Sequence, residues 1–392
     1  MARVGVIGTG FIVRQAQQVI AKQPSLQITK VLTRRPLDSV EGFDRKLLTH
    51  SMDEVIDDSD IIFESTGDPI HGTVVVEQAL RAGKKVVTMN AELHVTTGSY
   101  LAELGYLSEA DGDQPGATAL LRREALAMGF TPLAYVNIKG FLNPNPTRED
   151  MVYWSERQKL SLAETTSFTD GTKLHVEQVF CANAFDATIA QDGLVGGKVD
   201  DIYDTDHLVK RAREVGRPIS DYVQCGTAPP GVFILAEHPV WETLPHYGPY
   251  EKLRTKGKLA YLLLRPYHLC GLEVAKSLLS ALDGDPPLLT NGPVPHVSAA
   301  AMAKRDLPVD TTIHHAIGNF EVRGMAIRSA NSPDHVPLGL LGGARFKRNV
   351  AEGQIITFDD VELPESRALE IWREELRPRF LQETPSPQEA AS

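Results

Sequence analysis

Two lysines stand where a cation could do chemistry. Lys139 ends the apolar stretch YVNIK, and Lys173 closes SFTDGTK, directly after Asp170, Gly171 and Thr172. A lysine beside a carboxylate can polarise a carbonyl or relay a proton while hydride moves at the neighbouring carbon, with the carboxylate fixing its position. Taken singly, each reads more readily as a solvated surface cation. Arg265, Tyr267 and His268 fall where a strand-like run gives way to the apolar helix after Pro266. A helix start beside a guanidinium suits a substrate phosphate or carboxylate, although Tyr267 and His268 could also simply pack there. Asp113 and Gln114 in DGDQPG read either as a helix N-cap followed by proline or as a substrate or cation contact. Glu92, Asp113, Asp170 and Glu177 could hold Mg or Mn if the substrate is a chelating hydroxyketone, but no spacing forces a metal site, and the metal ligands stay unknown. Lys304 and Arg305 form a weaker basic candidate. The pair His314 and His315, and His238 with His246, lack zinc-ligand spacing and read as structural.

These groups need a scaffold, and the first forty residues supply its logic. The stretch VGVIGTGFIV runs an apolar strand, 3–8, into a glycine turn, and Ile12, Ala16, Val19 and Ile20 then share a helical face. Gly8 allows the tight turn. Gly10 lets the backbone of Thr9, Gly10, Phe11 and Ile12 approach a pyrophosphate seated at the helix N-terminus. Val13 stands where the third glycine of the fingerprint would be, a position that serves helix packing. The next strand, 26–32, ends in Thr33-Arg34-Arg35 instead of the acidic residue that would accept from a ribose 2′-hydroxyl. A hydroxyl and two guanidiniums suit a 2′-phosphate, so the expected cofactor is NADP, with NAD the less favoured alternative. The βα rhythm continues through strands 60–66 and 85–89, placing Thr66, Gly67, Asn90 and Glu92 at strand ends near the nicotinamide. A helix over 115–128 and a strand over 132–138 are expected to extend the same sheet.

The length of 392 residues allows two or three domains, and 42% hydrophobic content is enough to core them. A net charge of −11 argues against nucleic acid and acidic lipid as partners, and no apolar run approaches a membrane span. The opening MARVGVIG enters a strand directly, so a cytoplasmic location is expected. Cys181, Cys225 and Cys270 form no CxxC and read as reduced.

In their order, GxGxxG, STGDP, VVTMNAE, EADGDQPGA, SFTDGTK and KRNVAEGQIITFDDVEL resemble the homoserine-dehydrogenase-related oxidoreductases that carry a C-terminal SAF domain. That group includes type II enzymes of the 1-deoxy-D-xylulose 5-phosphate reductoisomerase kind. The resemblance implies an α/β fold: a Rossmann-type doubly wound sheet over 1–142, an α+β catalytic and dimerisation domain over 143–335 and a β-rich SAF domain over 336–378. The helical spacing of Leu369, Trp372 and Leu376 adds a docking helix to it, and the low-complexity end reads as a disordered tail over 379–392. The resemblance also implies catalytic roles for Asp170 and Lys173, a phosphorylated or sugar-like carbonyl substrate, and a homodimer paired through the catalytic-domain sheet. One departure is visible. Homoserine dehydrogenases usually carry a lysine after the Asn of the ANK-like triplet, and here Ala91 follows Asn90. A homoserine-dehydrogenase-type enzyme is therefore the second reading, and a non-catalytic sensor of NADP and a sugar-like ligand is the alternative from another class.

Overall fold

In the computed structural model, which describes residues 1–240 and 248–382, Val4 to Ile7 are buried on both faces of the first strand. That explains why β1 (Ala2–Ile7) reads as a continuous apolar run, as parallel strands covered on both sides do. It pairs in parallel with β2 (Leu26–Leu32) on one side and β4 (Ile61–Glu64) on the other. With β3 (Leu48–Thr49), β5 (Lys85–Thr88) and β6 (Leu107–Glu109) the sheet has the order β3-β2-β1-β4-β5-β6, all parallel. The crossovers are α1 (Phe11–Ile20), α2 (Met52–Asp57) and α3 (Pro69–Arg81), and after β5 a helix formed by α4 (Ala91–Leu93), a widened turn over His94–Gly98 and α5 (Ser99–Leu104). The order reverses between β1 and β4, and the crevice for a ligand opens beyond the carboxyl ends of those strands.

The strand expected to extend this sheet does not. After α6 (Gln114–Ala127), β7 (Thr131–Lys139) joins a second sheet. The sixth Rossmann strand is the three-residue Leu107–Glu109, too short to show a period. Between β7 and the rest of the second sheet come α7 (Arg148–Gln158), α8 (Leu162–Thr169), α9 (Thr172–Ala184) and α10 (Asp206–Val215), followed by β8 (Ile219–Gln224), β9 (Val232–Glu237), α11 (Gly248–Glu251) and β10 (Tyr261–Arg265). The order is β10-β9-β7-β8, with β8 parallel and β9 antiparallel to β7. A boundary at residue 142 would therefore sever β7 from its own sheet.

Residues alternate across that sheet. Tyr135, Val232 and Ile234 pack with Val176, Val179 and Phe180 of α9, whereas Val136, Phe233 and Leu235 pack with Leu208, Val209 and Ala212 of α10. Among the described residues, helices of the chain itself pack on both faces of this sheet. α12 (Cys270–Asp283) then returns to the first unit, where Val274, Ala275 and Leu278 share a core with Val13, Ala16 and Ile20 of α1. Val13, in place of the third glycine, is what that packing uses.

The last third is β-rich. β11 (Val297–Ala303) pairs with β13 (Val322–Arg328), and β12 (Thr312–Ile313), β14 (Ala344–Phe346) and β15 (Val361–Glu362) form a small sheet. Bridges Ala300↔Pro337, Met302↔Ile355 and Leu307↔Val350 tie the two halves together, so the β-rich unit reaches back to residue 297, well before 336. The chain ends in α13 (Arg367–Ile371), a widened turn over Trp372–Leu376 and α14 (Arg377–Gln382). Leu369, Trp372 and Leu376 are buried with Val76, Leu80 and Leu101, as their spacing predicts. Of the tail expected to be disordered, 379–382 belong to α14, and 383–392 lie outside the described residues. His246 lies outside them too.

Arg367 fastens this terminal helix to the nucleotide-binding unit. Its Nε and Nη2 donate to Glu77 on α3 at 2.8 and 2.9 Å, and Arg81 donates to the same carboxylate. The Arg367 hydrogen bonds, opposed by burial and helped by Arg81 and Tyr100, lower the Glu77 carboxyl from its usual 4.5 to about 2. A depressed carboxyl contributes stability above its unfolded value and loses it as pH falls through the folded one. Thermal stability should therefore decline as pH falls from 4.5 toward 2. Arg367→Ala should lose about 1–2 kcal/mol at neutral pH and flatten that acid decline, as read by calorimetry.

Candidate active site

The turn after β1 is built for a close approach. Gly8 has φ +113, and a Cβ there would lie 2.6 Å from the carbonyl oxygen of Ser65, so only glycine fits. Gly10 is different: a Cβ there would meet nothing within 4 Å. It is the N-cap of α1 and has no side chain to cap the helix. Arg14 is the first residue whose N–H bonds within the helix, to the Gly10 carbonyl. The N–H groups of Phe11, Ile12 and Val13 are thus the donors a helix leaves for an anion.

This turn forms one wall of a cavity of about 1280 Å³. Thr9 and Thr33 sit side by side, their hydroxyls 3.4 Å apart, and Thr33 Oγ1 also accepts from Arg35 N–H at 3.2 Å. Arg34 and Arg35 line the cavity beyond them. Arg34 reaches across to Asp68, 2.8 Å away, while the Arg35 guanidinium has no ion-pair partner among the described residues. Thr66 and Gly67 line it from the end of β4. The turn fits a dinucleotide: an open glycine and the first-turn N–H donors of α1, with Arg34 and Arg35 beside them.

At the end of β4, behind Thr66, sits Glu64, a residue the sequence did not single out. Its buried carboxylate accepts from Thr66 N–H (2.7 Å), Thr66 Oγ1 (2.6 Å), Thr88 Oγ1 (2.5 Å) and Asn90 Nδ2 (3.2 Å). Burial raises its pKa against those four donors. The only signal was a carboxylate ending the apolar run IIFE. Asn90, expected to bind cofactor, spends its amide on Glu64 and accepts from Leu93 N–H as the N-cap of α4. It shapes the strand ends and does not line the cavity.

At the same cavity stands Lys173, in the first turn of α9. Its Nζ lies 3.4 Å from Glu92 and 3.5 Å from Asp113. Burial pulls the ammonium down, but Asp113, Glu92, Glu177 and Glu109 outweigh it and hold its pKa well above the ordinary lysine value. Asp113, pushed up by burial, is brought below its usual value chiefly by Lys173. Glu92, read as a cofactor contact, is thus a partner of the lysine. Lys139 does not line the cavity; it stands 3.2 Å from Glu177 and donates to Gln114 Oε1 at 2.7 Å, and Asn137 bonds the same two groups. Behind them Glu109 and His94, both fully buried, stand 3.3 Å apart, and burial keeps the Glu109 carboxyl well above its usual range. Glycines make this assembly possible: a Cβ on Gly116 would lie 2.1 Å from the Ala110 carbonyl oxygen, and DGDQPG packs directly on the end of β6.

Several expectations change. Asp170 does not orient Lys173. Its Oδ2 lies 2.5 Å from Lys304 Nζ and its Oδ1 accepts from Thr172 N–H, because it caps α8 just before the left-handed turn at Gly171 and faces the end of β11. Lys304 is accordingly a buried ion-pair partner, and Arg305 pairs with Glu321 at the surface. Arg265 is spent on Asp111 (3.1 Å) and Glu273 (2.7 Å), and exposed Tyr267 lies against its guanidinium. Neither lines the cavity. His268 packs beside Gly112; burial lowers its pKa, with Asp113 opposing. His314 and His315, read as structural, are exposed and line the cavity together with Phe168 of α8 and Gly342. Among the described residues no three His, Cys, Asp or Glu side chains stand placed to hold a metal ion. The carboxylates proposed for Mg or Mn face lysines instead.

Residues 4–114 match the family described as homoserine dehydrogenase, NAD binding domain, and residues 112–274 the family described as oxidoreductase DRL, catalytic domain. No curated protein matches the chain. Among solved structures, it resembles biliverdin reductase from Synechocystis sp. PCC 6803, which was crystallised with biliverdin and NADP+: 23% identity over 37% of this chain and 49% of that one, TM-score 0.29. The match thus spans about half of the reductase. It also resembles Staphylococcus aureus homoserine dehydrogenase, with 17% identity over 46% of this chain and 48% of that one, TM-score 0.30. The WlbA dehydrogenase from Bordetella pertussis, in complex with NADH and UDP-GlcNAcA, aligns at 16% identity over 38% of this chain and 45% of that one, TM-score 0.29. With a homoserine-dehydrogenase-type NAD-binding unit and a DRL-type catalytic unit meeting at one lysine-bearing cavity, the chain is an NAD(P)-dependent oxidoreductase.

Proposed function

We propose that this oxidoreductase favours NADPH and reduces the carbonyl of a small, phosphorylated or polyhydroxylated, sugar-like compound, or oxidises the corresponding alcohol. The observation that carries the reading is that Lys173, flanked by Glu92 and Asp113, lines the same cavity as the Gly8–Ile12 turn. The Gly8–Ile12 turn would hold the nicotinamide cofactor, which would supply the hydride. Lys173 Nζ–H donates to the carbonyl oxygen as negative charge grows there and passes its proton to the alkoxide. Glu92 and Asp113 hold the ammonium in place and keep it charged. Lys139, Gln114, Asn137 and Glu177 fix the carboxylate field behind it. The resemblance of DGDQPGA and SFTDGTK to reductoisomerase-like enzymes supports a further step in which the carbon skeleton rearranges before reduction, with the C-terminal β-rich unit as an SAF-like wall of the cavity.

Titration with NADPH and NADH, followed by cofactor consumption against phosphorylated ketoses, aldoses and amino-acid semialdehydes, tests this reading. Arg34→Ala with Arg35→Ala should weaken NADPH binding by about 10- to 100-fold, the loss of one or two charge-assisted contacts, and leave NADH within about threefold. Equal affinity for both cofactors in the unaltered chain would overturn the NADP preference. Turnover of a semialdehyde alone would favour the homoserine-dehydrogenase type, and simple reduction without rearrangement would remove the isomerase step.

A further inference from the structure

Lys304 follows β11 and is buried, and its Nζ has two partners on different elements. It lies 2.5 Å from Asp170 Oδ2 and donates to the Asn319 carbonyl oxygen at 2.5 Å. Asp170 uses its other oxygen to accept from Thr172 N–H at 2.8 Å, one residue before Lys173. Asn319 holds a loop together. Its Nδ2 donates to the carbonyl oxygens of His315 (2.7 Å) and Ala316 (2.8 Å), and its Oδ1 accepts from Glu321 and Val322 N–H. That loop presents His314 to Ile317 to the cavity. The first turns of α9 are stitched to the same β-rich unit: Gly324 N–H donates to Thr172 Oγ1 at 3.1 Å and Ala326 N–H to His175 Nδ1 at 3.2 Å. One buried ammonium therefore contacts both the corner that carries Lys173 and the loop that forms another wall of the cavity.

We propose that Lys304 is a positioning residue for the reduction, setting the register between the Lys173 end of α9 and the 314–317 loop, so that the geometry of the reacting cavity depends on the C-terminal β-rich unit. The proposal rests on the role given above to Lys173. A buried ion pair that serves the core alone can be replaced by neutral groups with little consequence. A pair whose cation spans two cavity-bearing elements cannot be, because an ångström of drift at a catalytic group costs on the order of a hundredfold in rate.

The test uses three chains: the unaltered protein, Lys304→Arg, and Asp170→Asn combined with Lys304→Met. The double change leaves neither member of the pair charged alone; Arg323, whose charge Asp170 also favours, keeps its own, and a cooperative thermal melt checks that the fold is retained. In the double variant, amide hydrogen exchange should quicken over 162–176 and 312–322 and stay unchanged in β1 and β2. NADPH affinity should stay within about threefold while kcat falls on the order of a hundredfold with little change in KM. Lys304→Arg should keep most of the activity. Unaltered exchange and turnover in the double variant would overturn the proposal, as would quickened exchange spread evenly over the whole chain. If the unaltered protein reduces none of the carbonyl compounds, the proposed function fails by that result, and local exchange still decides the role of Lys304.

Discussion

Replacing Lys173 with Met should lower turnover on the order of a thousandfold while NADPH affinity stays within about threefold, because the donor to the developing alkoxide is lost and the nucleotide turn is untouched. The same change should leave a mark on stability that depends on pH. In the unaltered protein Lys173 is the main force holding the Asp113 carboxyl below its usual value against burial. Without the ammonium, burial meets only His268, the Gln114 N–H and Lys139, so the folded carboxyl rises from its depressed value. Ionising it then costs the fold more than in the unaltered protein, and that cost is felt only where the carboxyl is charged. The deficit of Lys173→Met in chemical unfolding should therefore be larger near about pH 8 than near about pH 5. A surface lysine would show neither effect: turnover and stability would both follow the unaltered chain at each pH.

Much of the nucleotide-binding half was legible because its chemistry is local. Gly8 and Gly10 sit between a strand and a helix of clear period, and the structure places both at the cavity. The catalytic half was legible only in part. Lys173 and Lys139 could be picked out from strand and helix ends, but a carboxylate partner is a matter of where elements from different parts of the chain meet. Asp170 precedes Lys173 by three residues and faces elsewhere, while Glu92 and Asp113 arrive from 81 residues away and from the start of α6. Glu64 escaped notice because a buried carboxylate looks like a strand-end residue until its four donors are in place. Arg265 shows the converse: its position before a helix invited an anion, and Asp111 and Glu273 supply one from within the protein. The third wall could not be read at all. His314 and His315 have no periodic or motif signal, and only the packing of the β-rich unit beside α8 and α9 brings them to the cavity.

The two glycines of the turn separate folding from binding. Gly8→Ala should cost about 2–4 kcal/mol, since alanine disfavours φ +113 and its methyl would lie 2.6 Å from the Ser65 carbonyl oxygen. Gly10→Asp should do the reverse. Its Cβ meets nothing within 4 Å, and its carboxylate gives α1 the N-cap acceptor that helix lacks. Relative to glycine, an aspartate cap contributes a few tenths of a kcal/mol, so the melting temperature should hold or rise slightly. Yet the carboxylate would take the N–H donors of the first turn and set a negative charge at the turn proposed to hold the pyrophosphate. Affinity for NADPH and NADH alike should fall by about a hundredfold or more, as two lost charge-assisted contacts imply. Calorimetry and cofactor titration on the same two variants decide the matter. Gly10→Asp that binds cofactor normally would mean that the helix N-terminus is not the pyrophosphate site, whatever happens at Gly8.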